Sequence, residues 1–143
     1  MAWYSMRWKI ELFFKILKSG FNAEKLKLRA AERLVNLIAI FCILGWRIFW
    51  LTMLNRARPK ENPGSALTAS EIAIIDRIAA RAGRIAATAR PLSSYLTEIA
   101  RLGGYLGRRR DPPPGNIIMW RGWSRLMDIQ LGVELAAEPL VGN

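Results

Sequence analysis

Along the first twenty residues, polar and apolar positions separate at helical spacing. Tyr4, Arg7, Glu11, Lys15 and Lys18 follow one another by steps of three or four, while Met6, Ile10, Phe13 and Leu17 do the same elsewhere on the turn. At about 100° per residue the first set falls in a sector about 80° wide, and the second faces away from it. This pattern predicts a helix over 3–18 that stops at Gly20. Asn22 is placed to cap a second helix over 23–54, charged in its first third and almost wholly apolar afterwards. Its later part is therefore expected to be buried. Two prolines and a glycine between Arg58 and Ser65 block any continuation and mark a linker.

Beyond the linker, Thr68 and Glu71 have capping-box spacing. Ile72, Ile75, Ile78, Ala79, Ala82 and Ile85 repeat behind them on one face, predicting a helix over 69–89. Arg77, Arg81 and Arg84 form a basic stripe on another side, ordinarily a solvated face and alternatively a DNA contact. A short helix after Pro91 is expected to end near Leu102, before Gly103-Gly104. The basic loop Arg108-Arg109-Arg110-Asp111 with its three prolines comes next, and then a last helix over 116–131 with Ile117, Trp120, Met127 and Leu131 on its buried side. No run alternates with period two and no internal repeat is visible, so the fold class is mainly α.

Charge then narrows the partners. Twenty-two Lys and Arg against eleven Asp and Glu give a formal charge of +11. Residues 1–60 hold twelve of the basic and three of the acidic residues. Such an excess attracts nucleic-acid backbones or an anionic membrane surface. With no His and only Cys42, the chain lacks the means for a zinc site or an internal disulfide, in keeping with a cytoplasmic location. Cys42 sits in an apolar run and reads as a small buried hydrophobe with no catalytic role. The uncharged stretch from Leu34 to Trp46 is thirteen residues long, short of the roughly 20 that a membrane span requires. It reads as a buried core helix, no signal peptide is recognisable, and no membrane partner is expected.

The chemistry-bearing stripe is the one on the first helix. A carboxylate offers hard oxygen ligands to a divalent cation, Arg and Lys clamp phosphate oxygens, and a Tyr hydroxyl bonds phosphate or its ring stacks on a sugar or base. The same stripe also reads as a solvated face with Arg7–Glu11 and Glu11–Lys15 pairs four residues apart.

The spacing Tyr4-Arg7-Glu11-Lys18 resembles the YREK signature of bacterial insertion-sequence DDE transposases of the IS-four group. The likeness continues through Trp8, Phe13-Phe14-Lys15, Leu17, Ser19-Gly20, Arg33-Leu34, Gly45-Trp46-Arg47-Ile48, Ile99-Ala100-Arg101-Leu102-Gly103-Gly104 and Trp120-Arg121-Gly122-Trp123, and is weakest between Arg58 and Pro91. The resemblance implies that Glu11 is the third metal-binding carboxylate of an RNase H-like catalytic domain, using Mg2+ or Mn2+. It also implies that Tyr4, Arg7 and Lys18 contact DNA phosphates near the transposon end. Lys15 is an added contact from its charge and position. The family's reaction is in-line attack on phosphodiesters assisted by two divalent ions.

On this reading residues 1–57 are the helical end of the catalytic domain, with its central sheet strands largely missing, 58–66 a linker and 67–143 a helical C-terminal region. The other two carboxylates belong to strands upstream of the motif, and only Met1-Ala2-Trp3 stand before Tyr4. Asp76, Asp111 and Asp128 read as surface or capping residues. The chain is therefore expected to be a transposase fragment that does not cut or join DNA alone. Its expected partners are transposon-end DNA and either a second copy or a full-length transposase. The alternatives are a small basic helical protein that binds nucleic acid or regulates a transposase, and a membrane-surface protein built on Leu34–Leu54.

Overall fold

The computed structural model describes residues 7–20, 31–84 and 90–137, with the side chains of residues 19 and 20 set aside. It is mainly helical, with no strand among the described residues. Helix α1 spans Arg7–Lys15 and runs into a wider π turn over Ile16–Gly20. Helix α2 spans Ala31–Ala57, α3 Ala69–Arg81, α4 Leu92–Leu102 and α5 Asn116–Ala137, with one 3-10 turn at Pro63–Ser65. Residues 3–6, the expected cap at Asn22 and the first residues of the second predicted helix lie outside the described residues.

The expected capping box starts α3. The Thr68 hydroxyl accepts from the Glu71 amide at 3.2 Å, and the Glu71 carboxylate accepts from the Thr68 amide at 2.7 Å. The predicted extension of this helix to 89 is corrected: α3 ends at Arg81. Gly83 takes φ +66°, where glycine carries no side-chain penalty. Its amide donates to Ala80 O and that of Arg84 donates to Ala79 O, both at 2.9 Å, which closes the helix as a Schellman motif. Residues 85–89 lie outside the described residues. Helix α5, by contrast, continues to Ala137, past the expected end at 131.

One buried cluster joins the elements on both sides of 58–66. It includes Ile48 and Leu51 of α2, Ile75 of α3, Leu92 and Leu96 of α4, and Trp123 of α5. A fully buried side chain of this kind stabilises the fold by about 1.5–3 kcal/mol. The segment between α2 and α3 is itself tied in. Pro59 O and Glu61 O accept from the first amides of α4, Ser93 N at 3.1 Å and Leu92 N at 2.9 Å, and Ala66 and Leu67 are buried.

Helices α4 and α5 pack backbone to backbone. A Cβ added at Gly122 would lie 1.8 Å from Ile99 O, and one at Gly103 would lie 2.1 Å from Ile118 O, so only glycine fits at either contact. Arg125 then closes the end of α4 by donating to Leu102 O at 2.5 Å.

Charged groups complete the interior. The Glu98 carboxylate is 6% exposed and receives Arg84 at 2.8 Å and Arg101 at 2.5 Å. Arg84 stays exposed like Arg77 and Arg81, yet it also turns its guanidinium to Glu98, because a buried carboxylate without cationic partners would be costly. Asp76 is at the surface as expected, its side chain 41% exposed, and pairs there with the largely buried Arg90 side chain, whose guanidinium also stacks on Tyr95 at 4.4 Å from the ring centre. Arg47 stacks on the rings of Trp50 and Trp123 at 5.5 and 5.0 Å and donates to Ala66 O at 2.6 Å. One guanidinium thus links α2, the turn before α3, and α5.

Burial of the second helix is corrected in part. Ile48, Phe49, Leu51 and Thr52 are buried, but Val35, Ile38, Ile40, Ile43 and Trp46 are exposed. Glu32 and Arg33 do not break the helix, so Ala31–Ala57 is one helix long and apolar enough to cross a membrane by length and composition. The thirteen-residue estimate counted only the uncharged stretch. Cys42 is half-buried on this helix.

Candidate nucleic-acid interface

Helix α1 is held to the body by Leu12 and Ile16, which pack against the central cluster; Ile16 is 2% exposed. The apolar side that faces away from the charged stripe is covered only in part: Leu17 packs against the cluster and Phe13 is half-buried. Ile10 remains 60% exposed and Phe14 is exposed, while Leu12, Ile16 and Leu17 make the contact. Periodicity separates a charged from an apolar side of a helix, yet the neighbours decide which apolar residues are covered.

Docking by Leu12 and Ile16 leaves the charged face open. Arg7 Nε donates to Glu11 Oε1 at 3.0 Å, with the two side chains 64% and 63% exposed. Lys15 is exposed one turn further along the same face. Lys18 is also exposed, but it lies on the π turn, where the wider winding shifts it from the position that regular helical spacing predicts. Tyr4 lies outside the described residues. The structure thus brings Arg7, Glu11 and Lys15 together on α1 and sets Lys18 at the end of the same element.

This face offers a phosphodiester backbone a row of solvated cations at helical pitch, suited to charge-assisted bonds to phosphate oxygens. It does not offer a metal centre. Glu11 is an open, solvated carboxylate already engaged by Arg7, and no group of three His, Cys, Asp or Glu side chains among the described residues is placed to hold a metal ion. A two-metal site needs several hard oxygen ligands in one shaped pocket. The described residues do not fit the Mg2+ or Mn2+ centre implied by the resemblance, and no catalytic step is assigned to them.

Other basic groups fall into two sets. Arg47, Arg84, Arg90 and Arg101 are committed to internal stacking or ion pairs. Arg108, Arg109 and Arg110 are exposed on their loop, whose turn is fixed by Asp111 accepting from the Arg108 amide at 2.8 Å and by Tyr105 donating to Pro112 O at 3.0 Å. A further basic residue, Arg56, comes close to α1 only in the folded chain. It shares with Lys15 the lining of a cavity of about 520 Å³. Sequence reasoning missed it because it stands at the end of an apolar helix, with no local pattern joining it to α1.

No protein-family model matches the chain.

Proposed function

We propose that this chain is the C-terminal portion of a cut-and-paste DDE transposase, which binds DNA through the α1 face and does not itself cleave or join strands. The observation that carries the reading is the exposed row in which Arg7, Glu11 and Lys18 keep the spacing of the YREK signature, with Lys15 beside them. The +11 formal charge supports a polyanionic partner. In a complete enzyme Glu11 would join two further carboxylates at Mg2+ or Mn2+, while Arg7, Lys15, Lys18 and Tyr4 would grip the backbone of the transposon end. The exposed apolar residues of α1 and of the first half of α2 would meet the sheet of an RNase H-like domain.

Fluorescence anisotropy with labelled duplex DNA tests this. Binding is expected to weaken steeply as salt rises. Arg7→Ala with Lys18→Ala should lower affinity at least tenfold and reduce the salt slope by about 2, one for each phosphate that the double variant can no longer neutralise. Salt-insensitive binding, or a double variant that binds like the parent, would refute the proposal.

A second reading is favoured by one specific observation, the exposed apolar side of a helix that meets the length and composition of a membrane span. It makes the chain a membrane-surface protein. Tight partition into lipid vesicles without salt-sensitive DNA binding would select it.

A further inference from the structure

The cavity beside Lys15 is built from three elements that the sequence keeps far apart. Helix α1 and its π turn give it Leu12, Lys15 and Ile16, the last turn of α2 gives Arg56, and Gly115 with the first residues of α5 completes it to Ile118. Its volume of about 520 Å³ lies within the roughly 300–1,000 Å³ of pockets that hold small molecules. Two of its lining residues are cations and none is a carboxylate. Arg56 forms no ion pair among the described residues, unlike Arg47, Arg84, Arg90 and Arg101.

The start of α5 further specifies the ligand. The first intrahelical bond of α5 runs from Met119 N to Gly115 O at 3.0 Å, so the amides of Asn116, Ile117 and Ile118 precede the helical ladder and lie at the positive end of a 22-residue helix. In the same wall, the Asn116 side-chain oxygen is buried with no hydrogen-bond partner among the described residues. The cations and amides suit an oxyanion. Leu12, Ile16, Ile117 and Ile118 supply apolar walls for a ring, while the Asn116 oxygen, closed off from solvent, stays behind the wall.

We propose that this cavity binds one nucleotide unit of a DNA strand. Its phosphate lies against Lys15, Arg56 and the start of α5, and its sugar or base lies on the apolar walls. The chemistry is that of a nucleoside phosphate, which a free nucleotide shares. The assignment of the source to DNA rests on the reading of α1 as a DNA-binding face, because Lys15 stands one turn beyond Glu11 on that face. The strand bound along α1 then continues into the cavity.

Amide NMR of the full chain tests the site, with inorganic phosphate, thymidine, thymidine monophosphate and a single-stranded oligonucleotide as probes. Saturable shifts at Gly115, Ile117 and Ile118 are expected with thymidine monophosphate and the oligonucleotide, with weaker binding of phosphate or thymidine alone. Asn116→Asp is the decisive variant. Its carboxylate should repel phosphate and weaken binding at least tenfold, with the thermal midpoint measured alongside because a side-chain oxygen at this position is closed off from solvent. Arg56→Gln should weaken it about tenfold.

Absence of saturable shifts at these amides, or unchanged affinity in Asn116→Asp, overturns the proposal. Saturation by the free nucleotide without competition from the oligonucleotide overturns the DNA assignment. If Arg7→Ala with Lys18→Ala loses DNA binding while Asn116→Asp keeps it, the cavity proposal fails and the α1 reading stands. The opposite pattern keeps the cavity and removes the α1 face, and loss in neither removes both.

Discussion

Two single residues set the sharpest limits on this fold. At Gly122 the obstacle to a side chain is the backbone oxygen of Ile99, which has no rotamer with which to retreat. Gly122→Ala must therefore push α4 and α5 apart, and it should cost about 3 kcal/mol despite the better helix propensity of alanine. Urea unfolding of the variant measures this, and a loss below about 1 kcal/mol would mean that the two backbones do not touch. Tyr95 sets a pH limit. Burial, then its bond to Asp76, raises the Tyr95 hydroxyl above its ordinary pKa of 10.0. The folded state thus holds this proton more tightly than the unfolded state does. The corresponding stability is fully present below about pH 10 and is lost as pH rises through the higher folded value. Tyr95→Phe keeps the ring under Arg90 and removes the titrating group. It should cost no more than about 1 kcal/mol at pH 7, since the bond to Asp76 is 3.4 Å long, and should flatten the decline of the urea midpoint above pH 10. An equally steep decline in the variant would assign the alkaline loss to other groups.

At the scale of elements, local signals were legible where one residue's chemistry settles the matter. Thr68 and Glu71 announce the start of α3, and Leu102 followed by two glycines announces the end of α4. Gly83 carried the stop signal for α3, but it stands within a pattern of isoleucine and alanine whose period continues past it, and periodicity masked the stop. Burial was less legible. The apolar run of α2 predicts a helix correctly but not which half is covered, because that depends on where α1 with its π turn, α4 and α5 lie along it. The candidate face divides the same way. Arg7, Glu11 and Lys15 could be grouped from spacing alone, whereas the approach of Arg56 and the start of α5 to Lys15 is a tertiary contact with no local trace.

For the whole molecule, two surfaces should respond to salt in opposite directions. The exposed apolar residues include Trp8, Ile10 and Phe14 on α1 and Val35, Ile38, Ile40, Ile43 and Trp46 on α2, an extent that favours association in water. The +11 charge opposes association through mutual repulsion. Screening shortens from about 30 Å at 0.01 M salt to about 10 Å at 0.1 M and 3 Å at 1 M, so added salt removes the repulsion and leaves the apolar attraction in place. The same screening weakens any contact with DNA phosphates. Sedimentation velocity should therefore show more self-association at about 0.5 M than at about 0.05 M salt, while DNA binding falls over that range. Replacing Ile40 and Ile43 by Lys should abolish the self-association and leave the thermal midpoint almost unchanged, because these side chains are 52% and 69% exposed and contribute little to the core. The altered residues lie on α2 and leave the α1 cations in place, so DNA affinity should hold or rise slightly with the added charge. If instead the substitutions unfold the chain, the first half of α2 is buried against a part of this same molecule, and the open apolar surface assigned to it does not exist.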